Sequence, residues 1–441
     1  MNNRCGAVRA ARRPPLLLWL AVALAVPASG NPAVAGSPSG NGGGSRWIGT
    51  WAAAVQPPLP GTPQSFRNQT LRLIVHTSAG GTKVRIRIAN TFGDQPLRIG
   101  SAHIARRAAK ADIDPASDRA LTFHGQPSVA VPARAMVVSD PVELQVPALS
   151  DLAISLFLPQ PTSVTTLHIL AQQTSYLSPD NGDHTAAAKF PVAKAIHSWP
   201  FLTGVDVVAS PRAAAIVAFG SSLTDGDGTT LDANRRWPDV LAERLQKGAG
   251  RSAEAGVLNE GIIGNRLLRD SPVQSPFGAA LGQAGLARFE RDVLAQAGVT
   301  YVIVGIGIND IIFPGSFEPG ARNVSAQGII SGYRQLIARA HSKGIRVIGT
   351  TNPPFENATF TDPPVSNLYS PEKEAVRQEV NDWIRRSAAF DAVVDLDAVL
   401  RDPSHPTRLL PAYDSGDHLH PNDAGCIAEG NAIPLGLFEN R

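Results

Sequence analysis

The chain has 441 residues, of which 43% are hydrophobic and 17% are charged, so it is long enough for two domains with sizeable cores. Its formal net charge is +3, but residues 1–35 contain four arginines and no acidic residue, which leaves about −1 (+3 − 4) for the remainder. This balance gives no electrostatic argument for a nucleic acid or an anionic membrane as a partner. The 40 glycines and 36 prolines favour many turns and few long helices.

The N-terminus has the pattern of a secretory signal peptide. Four arginines precede an apolar run from Leu16 to Val26, and Ala33-Val34-Ala35 forms a candidate cleavage site. The apolar run is shorter than an ordinary membrane span, although a retained N-terminal anchor is the alternative. We therefore predict a signal peptide over residues 1–35, a secreted or periplasmic location and no stable membrane insertion. Residues 36–45 are rich in Gly and Ser, which predicts a disordered linker.

Residues 46–205 show the period of β-strands. Apolar and polar side chains alternate over residues 71–75 and 84–88, and the intervening Ser78-Ala79-Gly80-Gly81 predicts a hairpin. Turn residues separate further alternating runs, and helical periodicity is weak. We predict an all-β sandwich domain over this region.

The tryptophans and histidines of this β region are candidate binding residues, but their positions in the sequence give little support for that role. Trp47 and Trp51 are expected to pack in the sandwich or against the second domain, with stacking on a sugar as the alternative. The region also contains six scattered histidines without the short spacing of metal ligands: His76, His103, His124, His168, His184 and His197. We expect surface or hydrogen-bonded core roles for most of them.

From Ala213 the pattern changes to alternating strands and helices. The strand candidates are Ile216–Phe219, Val257–Leu258, Tyr301–Ile306, Val347–Gly349 and Val393–Leu396. The helical candidates are Trp237–Gln246, Leu281–Ala297, Ala326–Lys343 and Pro371–Ala389. This alternation predicts an α/β domain over residues 212–441, with a mainly parallel sheet covered on both faces. The long loop Pro353–Pro371 follows the fourth strand and is a candidate lining of a substrate site.

Four short motifs carry polar residues that can support chemistry. Gly220-Ser221-Ser222-Leu223 follows the first strand, Gly264 follows the second, and Gly307-Ile308-Asn309-Asp310 follows the third. The fourth motif, Asp417-His418-Leu419-His420-Pro421, lies near the C-terminus. Because the carboxyl ends of parallel strands open on one edge of the sheet, we expect the first three motifs to converge there.

In this order, the four motifs resemble those of the SGNH (or GDSL) hydrolase superfamily, over about residues 213–441. The resemblance implies a three-layer α/β/α domain in which Ser222 is the nucleophile. Trp47-Ile48-Gly49-Thr50-Trp51-Ala52 and the β region also resemble the N-terminal part of secreted two-domain members. One position departs from the pattern, since many members have Asp where this chain has Ser221. That residue is not the nucleophile, so the difference concerns the bracing of the turn and leaves the expected chemistry in place.

Elementary chemistry supports the same roles. A serine needs a base near neutral pH, and His420 can take its proton and return it to the leaving group. Asp417, from the same loop, can fix the imidazole tautomer and stabilise the imidazolium. The backbone N–H groups of Ser222 and Gly264, with the side-chain amide of Asn309, are candidate donors to an oxyanion.

Neighbouring polar residues have other interpretations. Asp310 is expected to be structural, and His418 is expected to be a neighbour of the base. The alternative for the fourth motif is a metal site formed by Asp417, His418 and His420, but a triad also explains the serine, glycine and asparagine of the other motifs. Asp225-Gly226-Asp227-Gly228 lacks the later ligands of a calcium loop and is predicted to be a flexible turn.

The sequence thus predicts a secreted serine esterase that hydrolyses lipid or short-chain acyl esters through an acyl-serine intermediate, without a cofactor or metal. Its partner would be a small-molecule or polymeric ester, with no nucleic acid, and the oligomeric state is not predicted. One alternative is a polysaccharide O-acetylesterase whose β domain contacts the glycan, and acyl transfer to another alcohol would use the same residues. An alternative of another class is a non-catalytic carbohydrate-binding protein, which only Ser221 supports.

Overall fold

The computed structural model describes residues 45–62, 64–248, 250, 252–362 and 364–439. The predicted signal peptide, and all of the predicted linker except Ser45, lie outside these described residues. The described residues all lie in one compact unit. Within the described residues, no helix has both the length and the apolar composition needed to cross a membrane.

The first part of the described chain is largely antiparallel β-sheet. A five-stranded sheet contains Arg46–Ala52, Gly81–Ala89, Met136–Val138, Val142–Val146 and Leu202–Ala209. A seven-stranded sheet contains Gln69–His76, Ser101–Ala109, Asp112–Ile113, Arg119–Leu121, Asp151–Leu158, Ser175–Leu177 and Lys194–Ile196. Short ribbons pair Ser65–Phe66 with Thr162–Ser163, Leu97–Ile99 with Val129–Val131, and Leu167–His168 with Trp199–Pro200.

The two large sheets share one apolar core. Leu71, Leu73 and Val75 enter it from the seven-stranded sheet, and alternate residues from Val84 to Ile88 enter it from the five-stranded sheet. This alternation is what the sequence predicted, because every second side chain of a strand faces the same side. The all-β fold predicted for this region is therefore confirmed.

The predicted hairpin around Ser78–Gly81 is wrong. Its two strands, Gln69–His76 and Gly81–Ala89, belong to different sheets and do not pair with each other. Ser78 instead uses its backbone N–H and its hydroxyl to bind the carbonyl oxygen of Thr50, at 2.9 and 2.6 Å. These bonds hold the connection against the first strand of the region, so the chain crosses between the sheets.

The second part of the described chain is an α/β domain. Its five parallel strands in chain order are Ala215–Gly220, Gly256–Gly261, Val299–Gly305, Arg346–Thr350 and Ala392–Val394. In the sheet they lie in the order second, first, third, fourth and fifth. The helices are α1 (Ser222–Asp225), α2 (Trp237–Lys247), α3 (Gly285–Phe289), α4 (Ile308–Ile312), α5 (Ala326–His341), α6 (Pro371–Arg386), α7 (Leu396–Leu400) and α8 (Asp423–Ala432).

Helices cover both faces of this sheet. Val217 and Phe219 of the first strand enter a core that includes residues of α5 and α6, whereas Ile216 and Ala218 enter a second core that includes residues of α2. Because successive side chains of one strand reach opposite cores, the sheet is the middle of three layers. The predicted three-layer domain with a parallel sheet is confirmed.

One predicted helix is much shorter than expected. The sequence predicted a helix over Leu281–Ala297, but α3 and the π-helical turn Glu290–Leu294 cover only its centre. The carbonyl groups of Leu281 and Gln283 accept hydrogen bonds from the side-chain amide of Asn265, both at 2.8 Å. The segment before Gly285 therefore serves to hold a neighbouring loop.

The β region covers the edge of the parallel sheet. The second parallel strand, Gly256–Gly261, is an edge strand, and Arg46–Ala52 packs against it. Val257 donates its N–H to the hydroxyl of Ser78 at 2.8 Å, and Gly49 donates its N–H to the carbonyl of Ala297 at 2.8 Å. An open edge strand invites pairing with other chains, and this contact removes that surface.

The two tryptophans at the start of the β region are used for packing. Trp51 is buried and meets Trp199 edge to face, with ring centroids 4.9 Å apart. The guanidinium of Arg85 lies 4.4 Å from the ring centre of Trp47. Packing is thus confirmed for Trp51, which leaves no free ring face there for a sugar.

We expect Gly256→Ala to destabilise the protein. A Cβ atom at this position would overlap the backbone carbonyl oxygen of Gly49, which cannot move without displacing its strand. Overpacking of this kind lowers the free energy of unfolding by about 1–3 kcal/mol, which thermal or denaturant unfolding would measure. Gly436→Ala is the matched control, because a Cβ there meets no atom within 4 Å. Equal loss of stability in both variants would contradict the proposed contact.

Candidate active site

The nucleophile motif forms a tight turn from the first parallel strand into α1. The strand ends at Gly220, and Ser222 is the first residue of the helix. A Cβ atom on Gly220 would lie 2.8 Å from the carbonyl oxygen of Gly305 and would overlap Thr224, so only glycine fits. Ser221 precedes α1, but its buried hydroxyl does not cap the helix and has no hydrogen-bond partner among the described residues. The residue that replaces Asp in this motif therefore braces nothing through its side chain.

The structure brings Ser222, His420 and Asp417 into one hydrogen-bonded chain. The Ser222 Oγ lies 2.9 Å from Nε2 of His420, and Nδ1 of the same ring lies 2.5 Å from Oδ2 of Asp417. The other carboxylate oxygen of Asp417 accepts the backbone N–H groups of Leu419 and His420, at 2.9 and 2.8 Å. The acid is thus fixed by its own loop, and the imidazole is oriented with Nε2 toward the serine.

The environment favours charge on both members of the acid–base pair. Burial would raise the pKa of Asp417, but the hydrogen bond from His420 and the backbone donors outweigh it and lower that pKa well below its usual range. Burial would lower the pKa of His420, but the hydrogen bond to Asp417 and the charges of Asp227 and Asp417 outweigh it and raise that pKa. An imidazolium formed by proton transfer from Ser222 would therefore be stabilised where it forms.

His418 has a separate role from His420. Its Nδ1 lies 2.5 Å from Oδ2 of Asp414, and its backbone N–H binds Oδ1 of the same carboxylate at 3.0 Å. His418 therefore shapes the loop that carries the triad residues, as the sequence analysis expected of a neighbour.

Three candidate oxyanion donors lie after neighbouring strands at the carboxyl edge of the parallel sheet. Ser222 follows the first strand, Gly264 the second and Asn309 the third, and these strands are neighbours in the sheet. Within the described part of the chain, the backbone N–H groups of Ser222 and Gly264 have no hydrogen-bond acceptor. Gly264 has a φ of +65°, a conformation that favours glycine, and a Cβ there would press on Leu281. These two N–H groups are available to an anion.

The side chain of Asn309 is oriented by the loop that contains Gly264. Its amide donates one hydrogen bond to the carbonyl of Asn265 at 3.0 Å, which leaves the second amide hydrogen for another acceptor. The Asn265 side chain accepts a hydrogen bond from Arg288 at 2.9 Å. Arg288 also donates to the carbonyl groups of Gly220 and Glu260, both at 2.8 Å. Sequence reasoning missed Arg288, because a single arginine in a helical segment gives no signal of this role.

Asp310 braces the same loop. Its carboxylate accepts the N–H groups of Leu267 and Leu268 at 2.6 and 3.0 Å, and it is buried. Burial outweighs these bonds and raises the pKa of Asp310 to about 6. The contacts agree with the structural role that the sequence analysis expected.

The prediction of a flexible turn at Asp225–Gly228 is wrong for its first residue. Asp225 is the last residue of α1 and is 1% exposed. Its Oδ1 lies 2.9 Å from Nε2 of His168 in the β region. Its Oδ2 accepts the N–H of Ile263 at 3.0 Å. Both residues of this ion pair were missed as functional candidates, since nothing in the sequence links a histidine of one region with an aspartate of the other.

Asp227 introduces a second carboxylate beside the base. Its Oδ2 lies 3.7 Å from Nε2 of His420, on the side of the ring that faces Ser222, and its side chain is 42% exposed. Asp417, at 2.5 Å from the other ring nitrogen, remains the closer acid. Asp227 therefore adds negative charge on the solvent side of the triad.

The long loop after the fourth strand contacts the triad loop. Thr359 donates its N–H to the carbonyl oxygen of Asp417 at 2.9 Å. Phe360 beside it meets Phe277 and Phe317 edge to face, with ring centroids 5.6 and 5.2 Å apart. These three partly exposed rings come from the loops after the fourth, second and third strands, and they form an apolar surface at the carboxyl edge of the sheet.

The residues that form this site lie in a part of the chain that matches a known protein family. Residues 218–426 match the family model described as the GDSL-like Lipase/Acylhydrolase family. No curated protein matches the chain. Within the described residues, no group of three or more His, Cys, Asp or Glu side chains is arranged to hold a metal ion.

Three of the solved structures that are similar to this chain cover about half of it. A lipolytic protein of the G-D-S-L family from Desulfitobacterium hafniense has 20% identity, with 50% of this chain and 97% of that chain covered and a TM-score of 0.35. An aryl esterase from M. smegmatis has 19% identity, with 51% and 97% covered and a TM-score of 0.38. A carbohydrate acetylesterase from Sinorhizobium meliloti has 18% identity, with 50% and 96% covered and a TM-score of 0.37.

We expect Asn309→Ala to lower kcat for ester hydrolysis by about 10²–10³ and to change KM little, because an oxyanion donor acts mainly in the transition state. Steady-state kinetics on an aryl ester would measure both constants. Asn323→Ala, at an exposed position before α5, is the control and should match the wild type. A folded Asn309→Ala protein with kcat within threefold of the wild type would rule out this donor.

We expect Asp227→Asn to shift the acid limb of the kcat/KM profile to lower pH. The base must be neutral to accept the serine proton, and the charge of Asp227 helps to raise the pKa of His420, so its removal lowers that pKa. Rates measured from about pH 5 to 9 would show the shift. Asp180→Asn, on the exposed surface of the β region, should leave the profile unchanged. Superimposable profiles for the wild type and Asp227→Asn would disprove the effect.

Proposed function

Because residues 218–426 belong to the GDSL-like lipase/acylhydrolase family, we propose that this enzyme is an exported serine esterase that cleaves lipid or short-chain acyl esters. The observation that carries this proposal is the hydrogen-bonded chain from Ser222 through His420 to Asp417, with distances of 2.9 and 2.5 Å. Export is supported by the signal-peptide pattern of residues 1–35.

The first half of the reaction acylates the serine. His420 takes the proton of the Ser222 hydroxyl as Oγ attacks the ester carbonyl carbon, and Asp417 stabilises the imidazolium that results. The carbonyl oxygen becomes an oxyanion, which accepts hydrogen bonds from the N–H groups of Ser222 and Gly264 and from the Asn309 amide. Collapse of this intermediate expels the alcohol, to which His420 returns the proton, and leaves an acyl-serine.

The second half repeats the same steps with water. His420 removes a proton from water, the oxygen attacks the acyl carbon, and the same donors hold the second oxyanion. The acid leaves as Ser222 regains its proton from the imidazolium. An alcohol in place of water would give acyl transfer with no change in the protein groups.

The surface beside the site favours an apolar acyl or aryl group. Phe277, Phe317 and Phe360 present partly exposed rings, and Ile263 and Leu419 lie in the chain directly beside Gly264 and His420 with partly exposed side chains. Burial of such apolar surface against a substrate contributes about 25 cal/mol per Å².

We expect Ser222→Ala to lower kcat by about 10³ or more while the protein stays folded, because the variant lacks the nucleophile. The assay is turnover of p-nitrophenyl esters, with circular dichroism as the check of fold. Ser221→Ala is a matched control, since it removes a neighbouring hydroxyl that has no partner among the described residues. If folded Ser222→Ala keeps its activity and a chelator abolishes it, the metal-dependent alternative replaces the triad.

The same assay with acetyl, butyryl and octanoyl esters distinguishes the substrate classes. Activity that persists or rises with chain length supports lipid or short-chain acyl esters. A steep fall after acetyl supports the polysaccharide O-acetylesterase.

A further inference from the structure

We propose that His168 of the β region is a positioning residue for the oxyanion-binding loop, through the carboxylate of Asp225. This inference rests on the proposed esterase function, and it assigns the β region a part in that reaction. It starts from the ion pair between His168 and Asp225, whose side chains are 2% and 1% exposed.

The imidazole of His168 has only acceptors around its two nitrogens. Nδ1 lies 2.8 Å from the carbonyl oxygen of Ala54, and Nε2 lies 3.0 Å from that of Leu170 and 2.9 Å from Oδ1 of Asp225. With Asp225 ionised, both nitrogens carry hydrogens and the ring is an imidazolium. Burial raises the pKa of Asp225, and the charge and the hydrogen bond of His168 oppose that rise. Burial would lower the pKa of His168, but the charge and the hydrogen bond of Asp225 outweigh it and raise that pKa, in agreement with this contact pattern.

The carboxylate of Asp225 connects two parts of the site. It belongs to α1, the helix that begins with Ser222, and its Oδ2 accepts the N–H of Ile263 at 3.0 Å. Ile263 directly precedes Gly264, whose N–H is a candidate oxyanion donor. A carboxylate that His168 holds in one orientation therefore fixes the distance between the nucleophile helix and the loop of Gly264.

The same segment of the β region also holds the chain that follows α1. Gln172 donates through its side-chain amide to the carbonyl of Gly226 at 3.1 Å, and its own carbonyl accepts the N–H of Asp232 at 3.1 Å. Thr174 donates its N–H and its hydroxyl to the carboxylate of Asp232, both at 2.6 Å. His168 is thus the buried end of an interface that fixes the nucleophile turn on both sides of Gly226.

Loss of this contact should affect catalysis more than substrate binding. An oxyanion donor acts mainly on the transition state, and a small displacement of a positioned group can reduce the rate by about 10². A change that displaces Gly264 should therefore lower kcat and leave KM nearly unchanged, whereas a general loss of folded protein would reduce the active fraction and the melting temperature.

The test variant is His168→Gln. A glutamine has nearly the same size, but its single amide nitrogen cannot donate to Ala54 and Asp225 from opposite sides as the ring does. The matched control is His103→Gln, because His103 also pairs with an aspartate, Asp118, at 3.0 Å within the β region. Among the described residues, its hydrogen bonds do not reach the nucleophile turn. Asp225→Asn is a second variant, which removes the charge that holds the imidazolium but keeps an oxygen for Ile263.

The experiment measures kcat and KM on an aryl ester, the melting temperature, and hydrogen exchange of the peptide that contains the Ile263 amide. We expect His168→Gln to lower kcat by at least tenfold with KM within threefold, and to speed exchange at Ile263, while His103→Gln matches the wild type. Asp225→Asn should change both quantities in the same direction, and it decides the matter if His168→Gln does not fold.

Two outcomes would overturn the inference. One is a folded His168→Gln protein with kcat within twofold of the wild type and unchanged exchange at Ile263. The other is equal loss of kcat in His168→Gln and His103→Gln, which would indicate a general effect of the β region. Failure of the esterase function itself would be seen separately, as absence of turnover in the wild type, and hydrogen exchange would still test the contact.

Discussion

The arrangement of the site depends on hydrogen bonds to backbone carbonyls at the ends of neighbouring parallel strands. Arg288, which is fully buried, donates to the carbonyls of Gly220 and Glu260, at the ends of the first and second strands. Its Nε and Nη1 groups also donate to the side chains of Asn265 and Asp292. A buried carbonyl group without a hydrogen bond is energetically costly, and Arg288 satisfies two of these groups at once. It thereby also fixes the spacing between the nucleophile turn and the loop that follows the second strand.

The β region belongs to the same unit as the parallel sheet. It covers the edge strand through Gly49 and Ser78, and it reaches the buried Glu260 of that strand through Arg87 and Gln296, whose side chains form a hydrogen-bonded chain. Such a polar chain is favourable only when its members are held together by the surrounding packing. Hydrogen bonds thus join the two regions, and the β region contributes to the stability of the parallel sheet.

Much of the site could be predicted because its residues occupy recognisable local positions. Ser222 follows a short apolar strand and a glycine, and a turn of that kind is visible in the sequence. His168 could not be predicted, because its pairing with Asp225 joins two regions and depends on how they dock. The prediction of a hairpin at Ser78–Gly81 was wrong for a related reason. Turn residues indicate that the chain reverses, but they do not indicate which sheet the next strand joins. Local patterns therefore predicted the elements, and tertiary contacts decided their partners.

The distance along the chain between the triad residues has a consequence for biosynthesis. The nucleophile and its base are 198 positions apart, and His420 lies in the last loop before α8. Since a ribosome makes the chain from the N-terminus, the β region and most of the sheet can form before the base is added. Any product that stops early contains the serine but no imidazole to activate it. Ser222 therefore meets the imidazole proposed to activate it only after the β region and the strands of the sheet have been made.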